Sequence, residues 1–148
     1  MSTYKQFLLD LADGQVWERV AQKIICKLNE VEVIKTCDNY RYDFMTSDNI
    51  TYEVKHGGMD LKTGNTYIEY ECFSKPSGIE ITEADYWMII TEKDYILIKT
   101  EELKALIEAN MILRSNIRGG REKKSYGHLI KRSTFDNIVP YERETICV

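Results

Sequence analysis

The most constraining stretch of the chain is YRYDFMTSDNITYEVKH, residues 40–56. Its β-rich flanks around a polar Ser-Asp-Asn turn at 47–49 predict two short strands joined as a hairpin. A turn centred on Asp48 pairs residues equally distant from it, so Asp43 is expected opposite Glu53, with Cβ atoms about 5 Å apart. Because strand side chains alternate, Glu53 and Lys55 share one face and Val54 points to the other.

This hairpin would bring two carboxylates and an amine together on one patch of sheet. Like charges directly opposite each other repel, so the arrangement is unfavourable unless a cation lies between them. A divalent metal ion is the simplest such cation. The hairpin therefore predicts a metal site formed by Asp43 and Glu53, with Lys55 beside it.

The composition is that of an ordered globular chain. A length of 148 residues favours one domain, and 43% apolar residues with only two prolines favour a folded core. No apolar run approaches the roughly 20 residues that cross a bilayer, and MSTYKQFLLDLADG lacks the basic start and apolar core of a signal peptide. We therefore expect a soluble, intracellular (cytoplasmic) protein that does not enter a membrane.

The cysteines and histidines carry no clear site pattern. Cys26, Cys37, Cys72 and Cys147 lack CxxC spacing and zinc-type His partners, which predicts reduced thiols, mostly in the core. The alternation of the strand turns His56 away from Lys55, which argues against a catalytic role. His128 is expected on the surface, within a basic segment where it could contact phosphate.

The charge is unevenly distributed. The net charge is −4, yet the segment from Arg114 to Arg132 contains seven basic residues against one acid, Glu122. Such asymmetry indicates an anion-binding patch on an acidic body, although a solvated basic loop without a partner would have the same composition. The basic residues are Arg114, Arg118, Arg121, Lys123, Lys124, Lys131 and Arg132.

The order of predicted elements indicates an α/β fold with a mixed central sheet flanked by helices. In the first helix, Trp17, Val20, Ile24 and Leu28 repeat at helical spacing, and Glu18 lies at the edge of the buried face. Thr82 and Thr100 are expected to cap helices. The predicted elements are a helix over 14–29, a strand over 31–36, the hairpin, a glycine-rich loop over 57–64, a strand over 65–73, a short helix after Thr82, strands over 87–91 and 95–100, and a helix over 101–110.

The pattern resembles the active site of the PD-(D/E)XK nuclease superfamily, which includes restriction endonucleases and Holliday junction resolvases. The resemblance is carried by Asp43 followed, after nine residues, by Glu53-Val54-Lys55, and by Glu18 on the first helix. KTGNTYIEYE (62–71) and SGIEITEADYW (77–87) are similar to segments of small phage and viral members. The motif's proline is Tyr42 here. The resemblance covers about residues 14–91 and implies an αβββαβ restriction-endonuclease-like core.

The resemblance implies a Mg²⁺-dependent (or Mn²⁺-dependent) DNA nuclease. Asp43, Glu53 and the Val54 carbonyl would bind the metal, and Lys55 would orient the attacking water or stabilise the transition state. Glu18 would assist a second metal or position water, as in the resolvases. Glu69, on the following strand, could line the same face, although an ordinary exposed strand acid is the alternative.

On this reading residues 1–148 form a single nuclease domain, with a core at about 14–110 and a basic C-terminal extension at about 111–148 that follows the DNA backbone. We expect a homodimeric, structure-specific endonuclease for junctions or branches, acting in the host cytoplasm if phage-encoded. The alternatives are an exonuclease or nicking enzyme of the same superfamily, a non-catalytic nucleic-acid-binding protein on the nuclease fold, and an α/β interaction domain whose resemblance is accidental.

Overall fold

The computed structural model describes residues 3–37, 39–110, 117–119 and 125–142, which form a mixed α/β fold with two sheets. None of the helices in these ranges combines the length and the apolar character needed to cross a bilayer. The helices are α1 (Thr3–Asn29), α2 (Asp60–Thr63) and α3 (Thr100–Ala109), with 3₁₀ turns at Gly78–Glu80 and Arg132–Thr134. The strands are β1 (Val33–Thr36), β2 (Phe44–Thr46), β3 (Thr51–His56), β4 (Asn65–Cys72), β5 (Lys75–Pro76), β6 (Tyr86–Ile90), β7 (Asp94–Lys99), β8 (Ile117–Gly119), β9 (Ser125–Lys131) and β10 (Ile138–Pro140).

The central sheet has six strands in the order β1-β2-β3-β6-β7-β10. Strands β3 and β6 are parallel, and their other neighbours are antiparallel, so the predicted mixed sheet is confirmed. Helix α1 covers one face of this sheet. Its Trp17 and Ile25 pack in one core cluster with Tyr52, Met88 and Ile90 from the sheet. This apolar contact fixes α1 across β3 and β6.

Helix α1 is longer than predicted because the apolar segment before Asp13 continues it back to Thr3. The predicted apolar stripe is mostly correct, since Trp17, Val20 and Ile24 are buried. Leu28, however, is 55% exposed in the last turn of the helix.

A second sheet of four strands, in the order β5-β4-β9-β8, covers the opposite face of the central sheet. Its Ile68 and Ile130 pack in a core cluster with Trp87 and Ile89 of β6 and with Leu103 of α3. The alternating pattern of residues 65–73 predicted β4 correctly. The pattern did not reveal that β4 belongs to a separate sheet, because its partner β9 lies about sixty residues further along the chain.

The helix predicted after Thr82 is absent, and a 3₁₀ turn at Gly78–Glu80 with a loop takes its place. Asp85 does not serve a helix end. Its carboxylate instead accepts hydrogen bonds from the backbone N–H and the hydroxyl of Thr51, at 2.9 and 3.0 Å. The Asp85 side chain thus joins β3 to the loop before β6.

Three further expectations changed near α3 and the C-terminal strands. Helix α3 begins at Thr100 with Lys99 as the N-cap, and the Thr100 hydroxyl donates to the carbonyl of Ala84 instead of capping. His128 is buried, and the centroid of its ring lies 4.6 Å from that of the Tyr70 ring. The prediction that His128 lies on the surface is therefore wrong. Residues 135–148 had no predicted element, yet β10 extends the central sheet beside β7.

We expect Gly78→Ala to destabilise the protein by about 2 kcal/mol or more. Gly78 has φ of +51°, and a Cβ there would overlap the backbone carbonyl oxygen of Glu69. Gly64→Ala is the matched control, because Gly64 has φ of +75° with open space around it and so tests the backbone strain alone. Chemical denaturation of both variants gives the comparison. Equal losses of unfolding free energy would contradict the proposed overlap.

Candidate active site

The hairpin of β2 and β3 has the predicted register within the two strands, but the predicted Asp43–Glu53 pair is not formed, because the Asp43 N–H donates to the Tyr52 carbonyl at 2.8 Å. Phe44 pairs with Tyr52 and Met45 with Thr51, on either side of a turn at residues 47–49. The Thr46 N–H donates to the Ile50 carbonyl at 3.0 Å and closes the turn. Local turn chemistry therefore decides which residues of the two strands face each other.

The pairing of β2 with β3 stops at Phe44, so the second half of β3 has an open edge. Asp43 lies at this point, directly before β2, and its Oδ2 accepts a hydrogen bond from the Val54 N–H at 2.7 Å. A strand residue directs its N–H and its C=O to the same side of the strand. The Val54 carbonyl therefore leaves β3 on the side where the Asp43 carboxylate lies.

Glu53 has one paired and one unpaired carboxylate oxygen. Oε1 lies 3.4 Å from the ammonium nitrogen of Lys55, while only 13% of the Glu53 side chain is exposed. Oε2 is buried and has no hydrogen-bond partner in the part of the chain that the structure describes. An unsatisfied buried carboxylate oxygen is costly, so it indicates a position for a ligand.

Lys55 follows two residues later on the same face of β3. Its ammonium nitrogen also lies 5.7 Å from the centroid of the Trp87 ring. Partial burial lowers the pKa of Lys55, but the charges of Glu53, Asp43 and Glu69 outweigh this effect and raise the pKa above its ordinary value. Lys55 is therefore a cation throughout the physiological pH range.

These residues line one cleft of about 770 Å³ between α1 and the open edge of β3. The α1 wall contributes Glu18, together with Gln15, Arg19 and Gln22. Gln22 donates a long hydrogen bond to Glu18 at 3.5 Å. Arg19 is exposed and forms no salt bridge with any residue in the described ranges. The cleft thus combines three acids with an available guanidinium.

The three carboxyl groups of the cleft share a raised pKa. Burial, followed by the charge of Asp43, raises the pKa of Glu18 to about 7. Burial also raises the pKa of Glu53 to about 7, with the charges of Asp43 and Glu18 adding to it against the opposing charge of Lys55. Burial raises the pKa of Asp43 despite its hydrogen bond from Val54. Burial is thus the largest cause in all three groups, and the charge of Asp43 adds to it at Glu18 and Glu53.

The oxygen donors of the cleft are of the type that Mg²⁺ prefers. No three His, Cys, Asp or Glu side chains among the described residues are arranged as a group that could hold a metal ion. Mg²⁺, however, uses one or two carboxylates and keeps several waters. Asp43 and Glu53 supply two carboxylates, and the unpaired Oε2 of Glu53 supplies a free donor atom. The metal-ligand role of Glu18 stays a prediction.

Glu69 lies on β4 in the second sheet, where its Oε2 accepts a hydrogen bond from the Ser77 hydroxyl at 2.9 Å. It is not among the residues that line the cleft, although its charge contributes to the raised pKa of Lys55. Glu69 therefore influences Lys55 from the neighbouring sheet. Its catalytic role stays a prediction.

Only part of the predicted DNA-binding segment falls within the described residues. Lys131 is exposed at the end of β9, and Arg118 lies within β8. Arg132 instead forms a salt bridge with Asp94 at 2.6 Å, and only 13% of its side chain is exposed. Its charge is therefore paired with Asp94 and not directed to solvent. Arg114, Arg121, Lys123 and Lys124 lie outside the described residues.

His56 lies on the face of β3 that the alternation indicated, whereas the described cysteines are less buried than predicted. The His56 ring stacks on the Trp17 ring, with 4.2 Å between their centroids, and its Nε2 lies 2.9 Å from Glu92 Oε1. His56 is not among the residues that line the cleft. Cys26, Cys37 and Cys72 are free thiols, but all three are only partly buried, and Cys37 lines the cleft. Cys147 lies outside the described residues.

Several residues of the cleft were not singled out from the sequence. Gln15 and Gln22 stand three residues before and four residues after Glu18, so helical spacing could have placed them on its face. Arg19 follows Glu18 directly. Asn39 belongs to the irregular loop between β1 and β2, whose path has no sequence signature.

Comparison of the chain with protein-family models, with curated proteins and with solved structures gives no match. The resemblance to the PD-(D/E)XK superfamily therefore depends on the motif residues and the two similar segments, 62–71 and 77–87.

We expect Mg²⁺ to stabilise the protein more strongly at about pH 8 than at about pH 5. A raised folded-state pKa contributes stability that is present below pH 4.5 and is lost as the pH rises through about 7, as for Glu18 and Glu53. The metal-free protein should therefore become less stable over this range, while the deprotonated carboxylates bind Mg²⁺ better. Melting temperatures with Mg²⁺ or EDTA at both pH values test this. An equal Mg²⁺ effect at both pH values would contradict it.

Proposed function

We propose that this protein is a Mg²⁺-dependent DNA nuclease that hydrolyses phosphodiester bonds in the cleft between α1 and the open edge of β3. The observation that carries the proposal is the buried, unpaired Oε2 of Glu53, beside Asp43 and the cationic Lys55. Hard oxygen donors next to a cation are suited to a metal ion and a phosphate. The raised pKa values of the carboxyl groups support the same reading.

The residues of the cleft have separate roles in this proposal. Asp43 and Glu53 would hold Mg²⁺, with the Val54 carbonyl on the same side of β3. When bound, the metal would lower the pKa of water and neutralise charge on the phosphate. Lys55, held by Glu53, would orient the nucleophilic water or stabilise charge on the phosphate oxygens. Glu18 would position water from the α1 wall.

The cleft also contains a group suited to the anionic substrate. Arg19 is exposed beside three acids and yet forms no salt bridge with them. A guanidinium matches the geometry of a phosphate, so Arg19 would contact the DNA backbone near the scissile bond. The exposed Lys131 and the remaining basic residues of 114–132 would extend this contact.

The finer features of the proposal follow from the resemblance to the superfamily. They are a restriction-endonuclease-like arrangement of α1, β1–β3 and β6, a homodimer, and a preference for junctions or branches. The parallel pairing of β3 with β6 supports the first of these. A symmetric dimer would place two clefts on opposed strands of a branched substrate.

Cleavage of a synthetic four-way junction and of supercoiled plasmid, with Mg²⁺ or with EDTA, tests the proposal. We expect cleavage that requires Mg²⁺ and favours the junction. DNA binding without cleavage would refute the nuclease and leave a nucleic-acid-binding protein. Cleavage of both substrates to the same extent would retain the nuclease and refute the structure preference.

A further inference from the structure

The loop between β1 and β2 presents an exposed aromatic residue beside the cleft. Asn39 and Asp43 of this loop line the cleft, and Tyr40 lies between them in sequence with 56% of its side chain exposed. Burial in the core therefore does not explain an aromatic residue at this position. Tyr40 itself is not among the residues that line the cleft, and a hydrogen bond with its side chain raises the pKa of Arg41. Its chain neighbours place it at the rim of the cleft, where a ligand can reach its exposed ring.

The residues around Tyr40 hold its backbone in place. The Oδ1 of Asn39 accepts hydrogen bonds from the Arg41 N–H at 2.9 Å and from the Cys37 thiol at 3.0 Å. The Arg41 carbonyl accepts from the Glu83 N–H at 2.8 Å, and the two side chains form a salt bridge at 3.5 Å. Asn39 and Arg41, the two chain neighbours of Tyr40, are thus both held by hydrogen bonds, which lowers the entropy lost when Tyr40 binds.

The depth of the site restricts which DNA can reach it. The unpaired Oε2 of Glu53 is buried, so a metal ion held there would lie below the rim. A volume of about 770 Å³ is that of a small-ligand site, so the cleft can take a few atoms of the DNA backbone but not a whole duplex. A strand that is locally unpaired can bring its phosphate into such a cleft more easily than an intact duplex.

We propose that Tyr40 stacks on an unpaired base next to the scissile phosphate, and that this contact selects DNA with unpaired nucleotides at the cleavage site. An aromatic ring stacks on any base whose face is free, and bases inside a duplex have no free face. Tyr40 would therefore determine specificity without taking part in the chemistry. This inference rests on the proposed nuclease function.

The kinetic test compares a forked DNA that has unpaired nucleotides with a linear duplex of the same sequence. We expect Tyr40→Ala to raise KM for the fork roughly tenfold, with little change in kcat and none for the duplex. Tyr40→Phe should retain the fork preference. Phe73→Ala is the matched control, because Phe73 is 64% exposed at the β4–β5 turn and does not line the cleft.

Fluorescence of 2-aminopurine in the unpaired segment gives a readout independent of cleavage. In a Lys55→Ala background with Mg²⁺, binding should quench the fluorescence. Tyr40→Ala should abolish the quenching, while Tyr40→Phe and Phe73→Ala should keep it. Unchanged quenching in Tyr40→Ala, or an equal loss in Phe73→Ala, would overturn the inference.

The two proposals fail in different ways. If the wild-type protein binds the fork but cleaves no DNA, the nuclease is refuted and the quenching experiment still decides the role of Tyr40. If the protein cleaves DNA and Tyr40→Ala affects fork and duplex equally, the nuclease stands and the role of Tyr40 is refuted. Failure to bind any DNA would refute both.

Discussion

Glu53→Gln is expected to lower the rate of DNA cleavage in Mg²⁺ by roughly a thousandfold. The substitution keeps the shape of the side chain but removes the charge that would hold the metal. A metal ion contributes several kcal/mol to transition-state stabilisation, and losing that contribution corresponds to a loss of rate of about a thousandfold. Single-turnover cleavage of the four-way junction measures it. Glu108→Gln is the matched control, because Glu108 is exposed on α3 and far along the chain from the cleft.

The same variant should behave differently in the stability measurement. In EDTA, Glu53→Gln should not be less stable than the wild type at about pH 8, because burial already disfavours the charged carboxylate. Its melting temperature should also lose most of its response to Mg²⁺. A large loss of stability in EDTA would mean that the Glu53 carboxylate is a structural partner of Lys55 instead of a metal ligand.

Lys55→Met is expected to lower cleavage by a factor of about 10² to 10³. Methionine keeps much of the packing against Trp87 but removes the ammonium that lies 3.4 Å from Glu53 Oε1. The melting temperature of the variant should still rise with Mg²⁺, since both carboxylates remain. Junction cleavage and thermal melting measure the two effects, with the exposed Lys62→Met as the control.

The Lys55 result distinguishes its role from that of the metal ligands. Loss of both cleavage and the response to Mg²⁺ would indicate that Lys55 acts by keeping Glu53 charged, since its ammonium lowers the pKa of Glu53. Wild-type cleavage by Lys55→Met would refute its place in the active site. The control should leave both measurements unchanged.

The centre of the candidate site could be predicted because it is encoded locally. The turn at residues 47–49 fixes the register of β2 and β3, and strand alternation then puts Glu53 and Lys55 on one face. Helical periodicity likewise placed Glu18 at the edge of the buried face of α1, where it lines the cleft. In each case, neighbours within about ten residues carried the information.

The parts that were missed depend on distant partners. Asp85 accepts hydrogen bonds from Thr51, thirty-four residues away, and no local pattern predicts this contact. His128 is buried because β9 pairs with β4 and sets it against Tyr70. The open edge of β3 likewise follows from where β2 stops and from the path of the loop before it. Local propensity does not specify such contacts.

The long sequence separation between β4 and its partner β9 affects how the protein folds during synthesis. Strand β4 is synthesised early, but its hydrogen-bonding neighbour β9 and the strand β10 at the edge of the central sheet come from residues 125–140. A nascent chain that has emerged only through α3 would therefore carry a β4 that is paired only with the two-residue strand β5, and Ile68 would lack its contact with Ile130. Such an edge invites pairing with other chains. The β2–β3 hairpin can form early on the ribosome, but the second sheet behind it is completed only when synthesis is nearly finished.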